Sequence, residues 1–416
     1  MDEEKRPSGE EHSFFKETIK DEKVDNKKIL KACMKFAGKA LIFGLLASIA
    51  FGVSKPWFDP SSNNQQITIE DQEQEENEKE EEQVEEDLTP QEQGEKNYQE
   101  MNRARNTVAN TVFKSVVEIE GILDDEQWKS SSFEKTNVVS GLILAETGKE
   151  VLIYGRTNIA KGATSFKVTF NDNKTYVASL RNKEEVLGFG VYSVDKESMD
   201  ETTINQITIP QLGNLAGVGR GDNIIVLGHP FGYSNGLGFG NVSSIKKVVS
   251  KYDGEFHVIA TDVPAAENGT GFIANMEGEI IGMVDQQLSE SPSMSLITGY
   301  GISDLKVRIE KLLNNISIPY VGVLGIDVTE EIEEKGIPKG IYVKNVAGDS
   351  PAMNAGIQPG DVITEVAGNP VATVSGYGAE IMKIEPGKAV KIEGLRKGAG
   401  EEYVDVTFTV EVGTKQ

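Results

Sequence analysis

Cysteine is nearly absent from this chain: Cys33 is its single representative among 416 residues. No intramolecular disulfide can form, and a thiolate zinc site is excluded. Histidine is almost as scarce. His12, His229 and His257 are too scattered for an imidazole metal cage, so neither a metal nor any other cofactor is expected. Excess positive charge is missing as well. The formal charge is −24 with a pI near 4.7. Phosphate backbones require a basic face, so nucleic acid is excluded as a partner. The acid is unevenly placed, with more than half of the excess in residues 59–100. A chain of this length carries a prior of about three domains at ~150 residues each.

Long apolar runs are also lacking, with one exception. Residues 36–53, FAGKALIFGLLASIAFGV, are apolar apart from Lys39, which can snorkel toward an interface. Extended to Phe58, the run reaches the ~20 residues a helix needs to cross a hydrocarbon core of ~30 Å. Lys27, Lys28, Lys31 and Lys35 crowd its N-terminal flank, and Trp57 and Phe58 suit the interfacial belt on the other side. The positive-inside rule then predicts a single-pass cell-membrane anchor over 36–58. Residues 1–35 form a cytoplasmic tail, and everything beyond 58 is extracytoplasmic. The rival reading is a signal peptide. It needs an unusually long charged leader and a cleavage site followed by bulky Phe51. Residues 59–97 have few apolar side chains and long Glu and Gln runs, the composition of a disordered acidic linker. Such a chain spans roughly 35 Å, stretched further by self-repulsion.

From Tyr98 an amphipathic stretch predicts a helix leading into a strand near Val116–Ile119. Short strand-like runs follow at 137–144, 150–154, 164–171, 174–180, 189–194, 223–228, 255–261 and 280–285. FNDNKTY (170–176) is a hairpin signal. Many short strands at this spacing predict a mainly β barrel or sandwich. GLGFG (236–240) opens no βαβ unit and is read as a loop rather than a nucleotide site.

Several stretches carry a family pattern in the right order. NIAKGATSFKVTFNDNKTYVASLRNKEEVLGFGVYSV (158–194), GVGRGDNIIVLGHPFG (217–232) and ATDVPAAENGTGFIANMEGEIIGMV (260–284) resemble HtrA-type (DegP-like) serine proteases. The resemblance implies a trypsin-like double β-barrel over 98–314, with a catalytic site in the cleft between the barrels. It also implies polypeptide substrates, and family members are commonly trimers through this domain, so a homotrimer is one expected state. The catalytic positions depart from the pattern. The family's base, His, is matched by Asn158, and its orienting Asp by Gly188. The nucleophile falls on Thr270 counted forward from Thr261–Asp262, or on Gly269 counted back from Gly278–Glu279. A hydroxyl nucleophile needs an adjacent base held in one tautomer by a carboxylate. Asn158 is no base near neutral pH, and Gly188 has no side chain, so no catalytic residue is assigned. A rewired site of His257, Asp262 and Thr270 can be drawn, but the plainer reading of His257 is a strand residue without catalytic role.

A second pattern follows. YVGVLGIDV (320–328), GIYVKNVAGDSPAMNAGIQPGDVITEVAGNPV (340–371) and VDVTFTVEV (404–412) resemble a PDZ domain of the HtrA subclass, spanning 319–412. Gly356 and Gly360 suit tight turns, and Asp361 suits backbone capping. The resemblance implies that the loop Tyr320, Val321, Gly322 and Val323 turns backbone N–H groups toward a C-terminal carboxylate. The next strand and a helix near Tyr377–Ile384 form the groove walls. Two functions follow as expectations. One is a catalytically inactive, membrane-anchored HtrA-like protein that binds polypeptide C-termini or unfolded proteins in envelope quality control or signalling. The other is an active serine/threonine-type endopeptidase with an unorthodox site.

Overall fold

The computed structural model describes residues 89–122, 138–159, 163, 165–289, 295–400 and 402–415, all within one compact unit, Gln65–Gln416. The expected anchor over 36–58, and most of the expected linker, lie outside the described residues. Among the described helices none is long and apolar enough to cross a membrane.

Helix α1 (Pro90–Phe113) begins eight residues earlier than its apolar pattern suggests. The cause is local. Thr89 and Glu92 form a reciprocal capping box, with Pro90 in the first turn, so a polar segment read as linker is helical from residue 90. Its first two turns are exposed, and only Ala109 and Val112 near the C-terminal end are buried.

Strands β1 (Val116–Ile122), β2 (Val138–Glu146), β3 (Glu150–Arg156), β4 (Ser165–Thr169), β5 (Thr175–Glu184) and β6 (Phe189–Asp195) close a first barrel in the order β1-β2-β3-β6-β5-β4. The β4–β5 turn falls where FNDNKTY predicts it, with Asn173 left-handed at φ 63°. Strands β7 (Asn223–His229), β8 (Gly236–Lys251), β9 (Gly254–Pro264), β10 (Thr270–Ala274), β11 (Ile280–Val284) and β12 (Leu296–Gly301) close a second, in the order β10-β11-β12-β9-β8-β7. GLGFG is the start of β8, not a loop. Its glycines serve close approach: a Cβ at Gly238 would come within 2.7 Å of the Phe231 ring. Each barrel has its own apolar interior. A third cluster, including Phe189, Phe256, Phe272 and Tyr300, joins the two barrels, α1 and helix α2 (Lys306–Leu313).

The C-terminal sheet comprises β13 (Val323–Asp327), β14 (Ile341–Val346), β15 (Val362–Val366), β16 (Asn369–Pro370), β17 (Ala389–Lys397) and β18 (Tyr403–Glu411), ordered β13-β14-β15-β17-β18 with β16 on β15. Helix α3 (Val374–Met382) packs on it around a separate core that includes Val321, Ile341, Ile363, Tyr377 and Ile392. Asp361 does cap: it accepts the Gln358 N–H (2.8 Å) and a two-pronged contact from Arg396 (2.7 Å each). The molecule is thus mainly β, two trypsin-like barrels followed by a PDZ domain.

Candidate functional site

The cleft between the barrels is built from strand ends. β3 leaves the first barrel through Thr157, whose N–H bonds the Gly188 carbonyl at 3.0 Å. That bond sets Asn158 and Gly188 at one barrel edge. Asn158 is exposed. Gly188 is left-handed (φ 73°), with open space where a Cβ would stand. Just inside, Arg156 pairs with Asp285 of the second barrel, both largely buried.

Thr270 is engaged elsewhere. It opens β10 opposite His229 of β7. Its Oγ1 accepts the Ser140 N–H at 3.0 Å, while Ser140 Oγ donates to the Thr270 carbonyl (3.2 Å) and accepts the His229 N–H (2.8 Å). The threonine hydroxyl therefore ties β10 to β2 of the other barrel, buried at 7% exposure. At Gly269 any Cβ would overlap the Pro230 carbonyl, so the loop as folded has no room for a serine side chain there.

The three residues of the alternative site are not brought together. His257 Nδ1 lies 3.0 Å from Asp304 Oδ2, and the His257 N–H donates to the same oxygen (2.6 Å). Asp262 accepts the backbone N–H of Asn241 (2.6 Å) and its side-chain amide (2.9 Å). Those bonds hold its carboxyl below the usual carboxylate range. Thr270 stays with Ser140. Three separate hydrogen-bonded groups replace one constellation.

The PDZ loop is more informative. Tyr320 exchanges backbone hydrogen bonds with Gly413 (2.8 and 2.9 Å), so its N–H turns away from the loop mouth, unlike the expectation for this position. The next three N–H groups converge. Val321 (2.8 Å) and Gly322 (2.7 Å) donate to one carboxylate oxygen of Asp253, and Val323 (3.0 Å) donates to the other. The loop geometry depends on Gly322, which has φ 93° and lies where a Cβ would run into Ser350. A fourth donor is the Tyr377 hydroxyl of α3, 3.0 Å from Asp253 Oδ1. Asp253 belongs to the β8–β9 turn of the second barrel and is only 1% exposed. Burial pushes its carboxyl up, opposed by the three backbone donors and Tyr377. Burial, followed by the Asp253 charge, raises the Tyr377 phenol well above its ordinary value.

Sequence reasoning reached Val321, Gly322 and Val323 but missed Asp253, Ser140 and the role of the Tyr377 hydroxyl. The Asp253–Gly254 pair between two alternating runs is a hairpin signal and could have located the turn.

Comparison with known proteins agrees with this architecture. Residues 322–410 match the PDZ domain family model. The chain is similar to a probable periplasmic serine endoprotease, DegP-like, of Halomonas elongata, at 27% identity over 286 residues (67% of this chain, 57% of that protein). It is also similar to serine protease Do-like HtrB of Bacillus subtilis, at 26% over 279 residues (62% and 59%). It thus spans under two thirds of the length of these relatives. Among solved structures, the serine endoprotease from Yersinia pestis superposes with a TM-score of 0.51 at 19% identity, covering 75% of this chain and 98% of that one. HtrA-type protease AlgW with tripeptide gives 0.51 at 22%, covering 74% and 97%. With its two barrels, its C-terminal PDZ domain and these sequence relatives, the chain is similar to the HtrA/DegP family of trypsin-fold serine proteases throughout its described domains.

Proposed function

We propose that this chain is a membrane-anchored, extracytoplasmic HtrA-type protein without peptidase activity, whose PDZ module captures free polypeptide C-termini in envelope quality control or signalling. The observation that carries the binding half is the convergence of the Val321, Gly322 and Val323 N–H groups on a single carboxylate. Three N–H donors and a phenol around one anion match the chemistry of a chain terminus, and β13 beside them offers an edge for an added strand. HtrA-type protease AlgW was solved with a tripeptide and with a decapeptide, and we carry peptide binding over to this chain.

Residues 319–412 expressed alone are expected to bind peptides with free apolar C-termini at micromolar strength, about −8 kcal/mol. Amidating the terminus removes the charge the loop accepts and should abolish most of that binding. Equal affinity for acid and amide would overturn the reading.

The anchor half rests on the lysine cluster and apolar run of residues 27–58. Protease added to intact cells should remove the globular part. Protection of that part until lysis would reverse the proposed orientation.

A further inference from the structure

The carboxylate in the PDZ loop comes from the protein itself. Asp253 sits at the tip of the β8–β9 hairpin, beyond the Lys251–Gly254 pair, in a left-handed conformation (φ 59°) that aspartate tolerates. Besides accepting the loop's N–H groups, it donates its own N–H to the Val323 carbonyl at 2.8 Å. A terminal residue joining β13 as an added strand would likewise present a carboxylate to the loop and an N–H to the strand.

Neighbouring contacts seat the tip in the same groove. The Asp253 carbonyl lies against α3, where a Cβ on Gly378 would come within 3.0 Å of it. Asn345 of β14 donates to the Tyr252 hydroxyl (3.4 Å). Met382, at the end of α3, is buried in the cluster that joins the two barrels. The groove between β13 and α3 is thus filled by a segment of the protease-fold domain.

We propose that Asp253 is an internal surrogate for a peptide C-terminus: the hairpin tip latches the PDZ module onto the second barrel, and a free C-terminus binds by displacing it. The inference rests on reading Val321–Val323 as a carboxylate receptor, and it adds how that receptor is regulated. Peptide and hairpin compete for the same three N–H groups, so the undocked fraction scales the apparent affinity. A hundredfold preference for the docked state weakens peptide binding about a hundredfold. Occupancy by a peptide frees the PDZ module from the barrel, so one event reports C-termini and changes the domain arrangement.

The test uses the full chain in detergent micelles. The probe is a fluorescein-labelled decapeptide pool, random except for a C-terminal valine with a free carboxylate. Asp253→Asn keeps the shape and the left-handed turn but removes the charge and sets an NH2 against N–H donors. It should bind the pool at least tenfold tighter than wild type. Hydrogen exchange at residues 321–323 should be slow in wild type, fast in unliganded D253N, and slow again once the pool is bound. An arm without any variant guards against misfolding: saturating wild type with the pool should accelerate exchange of the Asp253 amide while residues 321–323 stay protected. Equal affinity of wild type and D253N, or an Asp253 amide that stays protected in the peptide complex, would make Asp253 a permanent strut and overturn the latch. The receptor reading itself is decided separately, by acid against amide on the isolated module.

Discussion

The full chain is expected to leave casein intact, with turnover on the order of a millionfold below that of a trypsin-fold protease with a complete triad. The expectation follows from the cleft. Asn158 cannot accept a proton near neutral pH, Gly188 offers no carboxylate, and the hydroxyl aligned with the nucleophile, on Thr270, is held by Ser140 at the barrel junction. Removing the nucleophile or base of such a unit costs nearly as much as removing all its members, so restoring one position alone should recover nothing. A fluorophosphonate probe, which reports an activated hydroxyl, should fail to label the protein.

The geometry also grades the repairs. Gly188→Asp has open space for a side chain, at the expense of a left-handed backbone. Gly269→Ser drives a Cβ into the Pro230 carbonyl and requires the loop to rebuild. Thr270→Ser keeps a hydroxyl that stays engaged with Ser140. The triple change Asn158→His, Gly188→Asp, Thr270→Ser should therefore remain inactive, because it supplies a base and an acid without a free nucleophile. Clear casein turnover by the unmodified chain, lost on Thr270→Ala or His257→Ala, would show instead an endopeptidase with an unorthodox site.

How legible each part was depends on whether its cause is local. The β4–β5 turn is readable because Asn173 takes the left-handed conformation itself. The PDZ turns at Gly356 and Gly360, both at positive φ, are readable for the same reason. Asn158 and Gly188 could be aligned with the family's catalytic positions because no gap separates that stretch from its family pattern. β10 is harder to recognise: TGFIA is buried at every position and shows no alternation. β12 holds two glycines, one where a Cβ would overlap the Met283 carbonyl. The Thr270–Ser140 bond joins residues 130 positions apart, and the Val323–Asp253 bond joins residues 70 apart. No local pattern encodes such pairings. The Asp-Gly signal can locate a hairpin tip, but only the tertiary structure shows that the tip enters another domain.

Arg308→Met should be among the most destabilising single changes in the molecule, by about 3–5 kcal/mol at pH 7. Arg308 of α2 pairs with Glu184 at the end of β5, and both side chains are almost wholly buried, at 5% and 2% exposure. The guanidinium also lies over the Phe256 ring, 5.2 Å from its centroid, and 3.5 Å from the Asp253 carbonyl. It therefore stands where α2, the first barrel and the hairpin tip meet. Burial raises the Glu184 carboxyl, and Arg308 opposes that rise by both charge and hydrogen bond. Without the arginine the opposing effect is gone, and the folded-state value climbs further above the unfolded one. Between those two values the folded state binds more protons, so stability falls as pH rises through that window and recovers as pH is lowered. Urea unfolding followed by far-UV circular dichroism should accordingly show a smaller deficit for Arg308→Met at pH 5 than at pH 7. The double change Arg308→Met, Glu184→Met should recover most of the loss at both pH values, since an apolar pair of similar volume leaves no buried charge. A single variant within about 1 kcal/mol of wild type at pH 7 would mean that water or another cation reaches Glu184, and that the pair does not hold this junction together.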